Sequence, residues 1–289
     1  MKFTVPAVFL AGAGRREGGG PARLGRMVPA VADDAFYRPA GGRSFVATPA
    51  AAGPWDAAAQ HAGPPSALLA RAFEGHEPVD GQWLARVAVD ILAPVPVGAL
   101  TLRVRTVRPG RRITLLEAVA ESGGREVLHA RGWRITSPPQ PAPAVGEGDV
   151  PELPDEGEPR FWPGAHTAGY LTAMEWRFVT GSFTEPGPAQ VWARPRLPLV
   201  AGEETSPVCR ALLIADSGNG VSAYLDPATW LFINVDLTVA LHRPPRGEWV
   251  LLDAATTIGP GGAGVAASRL ADREGAIGHG MQTLVVSPR

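Results

Sequence analysis

The residues best suited to chemistry lie between Ile214 and Leu225, Ile-Ala-Asp-Ser-Gly-Asn-Gly-Val-Ser-Ala-Tyr-Leu. Asp216 is a carboxylate in an otherwise apolar and small-residue setting. Ser217, Gly218, Asn219 and Gly220 are residue types that cap helices, turn chains or let another group approach the backbone closely. The stretch reads as the mouth of a buried helix, with Asp216 beside unpaired N–H groups and a partial positive charge. Two uses fit that position: a helix N-cap, or a carboxylate that binds or activates a substrate oxygen. Further along, Asn234, Asp236 and Thr238 recur at every second position of the apolar run Trp230 to Leu241. In one unbroken strand they share a face, which is ordinarily the wet one.

Other chemistries lack their residues. Gly259 to Gly264 formally matches G-x-G-x-x-G, but the residues after it alternate like a strand, so it fails the context of a dinucleotide site. No Gly-x-Ser-x-Gly elbow is present, against a serine hydrolase. Cys209, the single cysteine, has no histidine nearby in sequence and reads as a buried apolar residue. No His, Cys and acid cluster has metal-ligand spacing, so neither metal nor cofactor is expected. A net charge of −1 argues against nucleic acid. No apolar run approaches the ~18–20 residues of a membrane helix. Residues 1–28 read as a flexible extension; the arginines follow its apolar opening, the reverse of a signal peptide, and a cytoplasmic location is expected.

The elements that must position these residues can be read from periodicity. Gly53-Pro54-Trp55-Asp56 is a loop, and Gln60-His61-Ala62-Gly63-Pro64-Pro65 leads into a helix over Ser66 to Glu74, apolar around most of its wheel and hence buried. Prolines suit a helix start. Period-two patterns then give strands at Leu84 to Leu92 and Leu100 to Thr106. Ile113 to Glu121 and Glu126 to Ile135 pair across Ser122-Gly123-Gly124. Residues 138–165 have the Pro, Gly and acid composition of a linker. Beyond it come strands at Glu175 to Val179 and Gln190 to Pro195, and a helix over Ser206 to Ala215. Further strands lie at Trp230 to Leu241, Trp249 to Thr257, Val265 to Leu270 and Ala276 to Val286.

The two halves read as one unit repeated. Pro109-Gly110 matches Pro260-Gly261 and Gly124 matches Gly275 at an offset of 151, with His61-Ala62-Gly63 over Asp216-Ser217-Gly218. The expected organisation is an N-terminal unit at 29–137, a linker, and a C-terminal unit at 166–289. In that alignment His61 is the counterpart of Asp216 and would line a second, degenerate site.

Trp55 with Gln60-His61-Ala62-Gly63, Arg86 to Pro96, Ala215-Asp216, Asn234-Val235-Asp236-Leu237-Thr238, His242-Arg243-Pro244 and Met281-Gln282 together resemble the acyl-CoA thioesterases of the double-hotdog, type II form. The resemblance covers about Phe45 to the C-terminus. It implies an α+β fold of two fused hotdogs, each an antiparallel sheet around a central helix. It also implies hydrolysis of acyl-CoA to free fatty acid and CoA by direct water attack, with possible dimerisation. By the same resemblance Asp216, Gln282 and a residue on the Trp230 to Leu241 strand hold the water. That last residue is Asn234 by strict counting, where the family carries a hydroxyl, or Thr238 if the register differs. Backbone N–H groups near Gly218, Asn219 and Gly220 would receive the oxyanion, and His61 and Gly63 would contact substrate. Two rival readings stay open. One is a hydratase or dehydratase on the same fold, weakened because Asp216 and His61 fall in opposite halves. The other is a non-catalytic acyl-CoA binding protein.

Overall fold

The computed structural model describes residues 33–143, 145, 148–157 and 159–289; the extension expected at 1–28 lies outside them. Two short strands, β1 (Tyr37–Pro39) and β2 (Ser44–Ala47), precede helix α1 (Gly63–Gly75) and four long strands: β3 (Gln82–Ile91), β4 (Ala99–Arg108), β5 (Ile113–Ser122) and β6 (Arg125–Thr136). The second half opens with a single turn, α2 (Tyr170–Ala173), then β7 (Met174–Thr180) and β8 (Ala189–Pro195). Helix α3 (Pro207–Ala215) and the one-turn α4 (Gly218–Val221) come next. The chain ends with β9 (Trp230–Asn234), β10 (Asp236–Leu241), β11 (Val250–Ile258), β12 (Ala263–Asp272) and β13 (Gly275–Pro288).

Local sequence explains the helices. Prolines occupy the first turn of both α1 and α3, where a missing N–H costs nothing. Ser206 caps α3 by accepting the Cys209 N–H at 3.1 Å. Gly63 to Ala70 and Phe73 are all buried, as expected of a helix apolar around its wheel. A Cβ at Gly63 would collide with the Leu213 carbonyl oxygen, so only glycine lets the start of α1 cross the end of α3 this closely.

The strands form a single antiparallel sheet in the order β1-β2-β4-β5-β6-β3-β10-β13-β12-β11-β8-β7, with β9 beside β13. The seam between halves is β3 against β10, Ala88 opposite Thr238. The ladders repeat across the halves: Ala88 pairs Arg131 as Thr238 pairs Met281, and Leu84 pairs Arg134 as Asn234 pairs Leu284. The true offset in the last strands is therefore 150 rather than 151. That one residue matters, because neighbours on a strand face opposite ways.

The expectation that Trp230 to Leu241 is one unbroken strand is corrected. Asn234 pairs Leu284 and Thr238 pairs Met281, so four steps on one strand face three on the other. The extra residue is a bulge at Val235, and a bulge reverses which face later residues point to. Asn234 therefore points inward. Thr238 lies on the outer face beside Met281, which is 53% exposed, while Leu237 and Val239 are buried. The Asp236 carboxylate closes the gap in the ladder by accepting the Thr283 N–H at 2.5 Å.

The segment with linker composition is irregular but packed. Val150 and Leu153 lie against Trp192 and Trp249. Pro154 accepts a hydrogen bond from Arg177 at 2.8 Å, and Trp162 meets Trp55 at 5.2 Å between ring centres. No helix among the described residues is long and apolar enough to cross a membrane.

Candidate active site

Asp216 is buried in the break between α3 and α4. It is the residue that caps the C-terminus of α3, just after Ala215, not the N-cap that the sequence suggests, and no side chain caps α4. The helix start that its carboxylate faces is that of α1, in the other half: the backbone N–H groups of Ala62 and Gly63 point at it. The close crossing at Gly63 brings about this meeting.

Three elements converge on the carboxylate. Asn234, at the end of β9, donates from Nδ2 to Oδ1 at 2.8 Å. Gln282, on the inner face of β13 and almost fully buried, donates from Nε2 to the Asp216 carbonyl at 2.9 Å and to Oδ1 at 3.2 Å. Its Oε1 accepts the Asn219 N–H at 3.0 Å, so the amide orientation is set on both sides. His61, just before α1, places Nδ1 3.1 Å from Oδ2. Asp216, Asn234, Gln282 and His61 are thus brought together, and Thr238 is not.

Burial dominates the electrostatics. It raises the Asp216 carboxyl to about 7 against the hydrogen bonds from Asn234, Gln282, Gly63 and Ala62. It lowers His61 to about 3, leaving the imidazole neutral at pH 7. His61 Nδ1, beside Asp216 Oδ2, also accepts the Gly63 N–H at 3.1 Å. The partial positive charge at the start of α1 favours negative charge here.

Two sequence expectations are corrected by this geometry. His61 lines no separate second site; it is part of the Asp216 site. The backbone donors expected from Asn219 and Gly220 are already engaged: the Asn219 N–H on Gln282 and the Gly220 N–H on the Ser217 carbonyl at 3.0 Å. The Asn219 side chain instead donates to the Phe232 carbonyl at 3.2 Å. Gly218 is needed for packing, since a Cβ there would sit 2.8 Å from Gln282 Oε1 and 2.9 Å from Ser268 Oγ. Tyr170 was missed. Its ring stacks on His61 at 3.7 Å, and its hydroxyl donates to the Leu213 carbonyl at 2.7 Å and lies 2.9 Å from Ser217 Oγ. A lone aromatic beside a Gly-rich segment carries no periodic signal that could have marked it.

Comparison with known proteins agrees with the architecture. The model of the acyl-CoA thioesterase N-terminal domain matches residues 51–135, and that of the C-terminal domain matches residues 148–286. A search of curated proteins gives no match. The TesB protein of Mycobacterium avium subsp. paratuberculosis is 16% identical, with a TM-score of 0.64 over 87% of this chain and 96% of its own. A hot dog fold protein from Alicyclobacillus acidocaldarius is 17% identical, with a TM-score of 0.66 over 88% and 97%. The acyl-CoA thioesterase II TesB2 of Mycobacterium marinum is 14% identical, with a TM-score of 0.62 over 88% and 95%. At such identities the structures speak for the fold, a double hotdog, and the two domain models for the family. With both domain models matched in order along one continuous sheet, the chain belongs to the acyl-CoA thioesterase family and is a thioester hydrolase of that class.

Proposed function

We propose that this chain hydrolyses acyl-CoA by direct attack of a water held at Asp216. Water adds to the thioester carbonyl carbon and its proton passes to the Asp216 carboxylate. The tetrahedral adduct then collapses with cleavage of the carbon–sulfur bond, and the same proton passes to the departing CoA thiolate. Asn234 and Gln282 hold the carboxylate in place, while the partial positive charge at the start of α1 favours the negative charge that develops on the adduct. The observation that carries the reading is a buried carboxylate whose pKa lies near neutrality and which three elements hold in position. A general base works best when its pKa lies near the operating pH. Cys209 is no rival nucleophile: it is buried against the Ala67 carbonyl, and burial pushes its thiol up.

The contact between His61 and Asp216 also favours a second reading, hydration of an enoyl thioester, whose Asp and His partners the sequence placed in opposite halves. One experiment separates the two. Free-thiol release from acyl-CoAs of graded chain length is measured beside loss of enoyl-CoA absorbance, for wild type and Asp216→Asn. Hydrolysis predicts thiol release by wild type and a fall of about 10²–10⁴-fold in the variant. Enoyl consumption without thiol release would establish the hydratase. Thiol release that survives Asp216→Asn would remove Asp216 from the reaction.

A further inference from the structure

Gly218 and Gly220 lie two residues apart on α4 and differ in what surrounds them. A Cβ at Gly218 runs into Gln282 and Ser268, whereas a Cβ at Gly220 meets nothing within 4 Å. Nor does Gly220 have the positive φ that would demand glycine. The open space beside it is a cavity of about 380 Å³ walled by Trp55, Trp162, Phe183 and Phe232. This volume falls at the small end of the range for ligand sites. Three of the rings hold one another: Trp55 meets both Trp162 and Phe232 at 5.2 Å.

A chain of hydrogen bonds links the cavity wall to the reactive carboxylate. Phe232 takes the Asn219 side chain on its carbonyl, Asn219 gives its N–H to Gln282, and Gln282 holds Asp216. Along the chain Gly220 follows Asp216 by four residues. Among the described residues no arginine or lysine lines the cavity, and its lining includes the exposed carboxylates of Glu185 and Asp226. Those charges repel the phosphates of CoA, while the aromatic walls suit a hydrocarbon.

We propose that this cavity takes the acyl chain and that Gly220, by leaving it open, determines how long a chain the enzyme accepts. The proposal rests on the hydrolytic reading only for its kinetic readout. Thiol release is measured from acetyl-, hexanoyl- and decanoyl-CoA with wild type, Gly220→Ala and Gly220→Leu, and circular dichroism verifies the fold of each. A leucine at this position projects into the cavity, so the ratio of kcat/KM for decanoyl over acetyl substrate falls at least about tenfold. Alanine gives a smaller shift in the same direction. An unchanged ratio in folded Gly220→Leu overturns the proposal. Should wild type release no thiol from any substrate, the hydrolytic reading fails on its own. Binding of decyl and methyl CoA thioethers, followed by tryptophan fluorescence from Trp55 and Trp162, then decides. Selective weakening of the decyl thioether in Gly220→Leu supports the cavity assignment, and equal binding of both overturns it.

Discussion

The two halves fold on the same ladder yet treat the same positions in opposite ways. At the offset of 150, Asn234 and Gln282 correspond to Leu84 and Gly132. Both halves carry the bulge, between Leu84 and Arg86 in one and at Val235 in the other, so both turn the first residue of the pair inward. In the C-terminal half the inward pair is two amides that hold Asp216. In the N-terminal half the space is filled: a Cβ at Gly132 would lie 2.8 Å from the Phe73 ring and 3.0 Å from Leu84. The fold thus supplies two places for a polar cluster, and this chain has built one and packed the other with hydrocarbon. The N-terminal half still contributes through His61 and the start of α1, which reach the surviving site from across the helix crossing.

The most damaging change is one that makes the C-terminal half resemble its partner. Gln282→Leu removes the donor to Asp216 and leaves the buried Asn219 N–H without an acceptor. Thiol release should fall about 100-fold or more, with about 1–3 kcal/mol of stability lost. Retention of full activity in chemical denaturation and kinetic assays would show that Gln282 serves neither purpose. The converse is Gly132→Ala, which should cost about 1–3 kcal/mol by overpacking against Phe73. Combining it with Phe73→Leu should recover part of that loss, and simple additivity of the two would deny that Phe73 fills this space.

Titration distinguishes what each half gives to the shared site. In the folded chain the pair of His61, at about 3, and Asp216, at about 7, holds one proton between those limits. Unfolded, with ordinary values of 6.5 and 3.8, the same two groups also hold one proton from about pH 4 to 6.5. Their contributions to stability against pH thus cancel in that window. Each single variant uncovers the remaining group. Asp216→Asn leaves a histidine lowered by burial, so the unfolded state binds the extra proton and stability should rise with pH from about 3 to 6.5. His61→Gln leaves a carboxyl raised by burial, so stability should fall from about pH 4 to 7. Each slope should approach about 1.4 kcal/mol per pH unit in denaturation midpoints. Parallel curves for wild type and both variants would show that the two groups titrate independently of folding.

The smallest expected effect is at Thr238. It lies on the outer face, so Thr238→Ala should change stability by no more than about 0.5 kcal/mol. It should leave thiol release near the wild-type rate, whereas Asn234→Ala should not. A large loss at Thr238 would mean that the bulge at Val235 is absent in solution.

Local pattern determined much of this molecule. Alternation marked the long strands, and an all-apolar wheel with leading prolines marked α1. These depend on side chains and their immediate neighbours, which sequence displays directly. Asp216 also stood out, because a lone carboxylate among small and apolar residues is costly unless it is used or paired. Other features belonged to the tertiary structure. The choice of Asn234 over Thr238 turned on one extra residue at Val235, and only the hydrogen-bond ladder with β13 reveals where a strand takes it up. The meeting of Asp216 with His61 required two helices distant in sequence to cross at Gly63. The burial of Gln282, which alternation alone would have left facing solvent or core with equal ease, depended on which face of β13 the helices cover. Each of these is a contact between parts of the chain far apart in sequence, and composition and spacing carry no record of which distant segment will lie opposite.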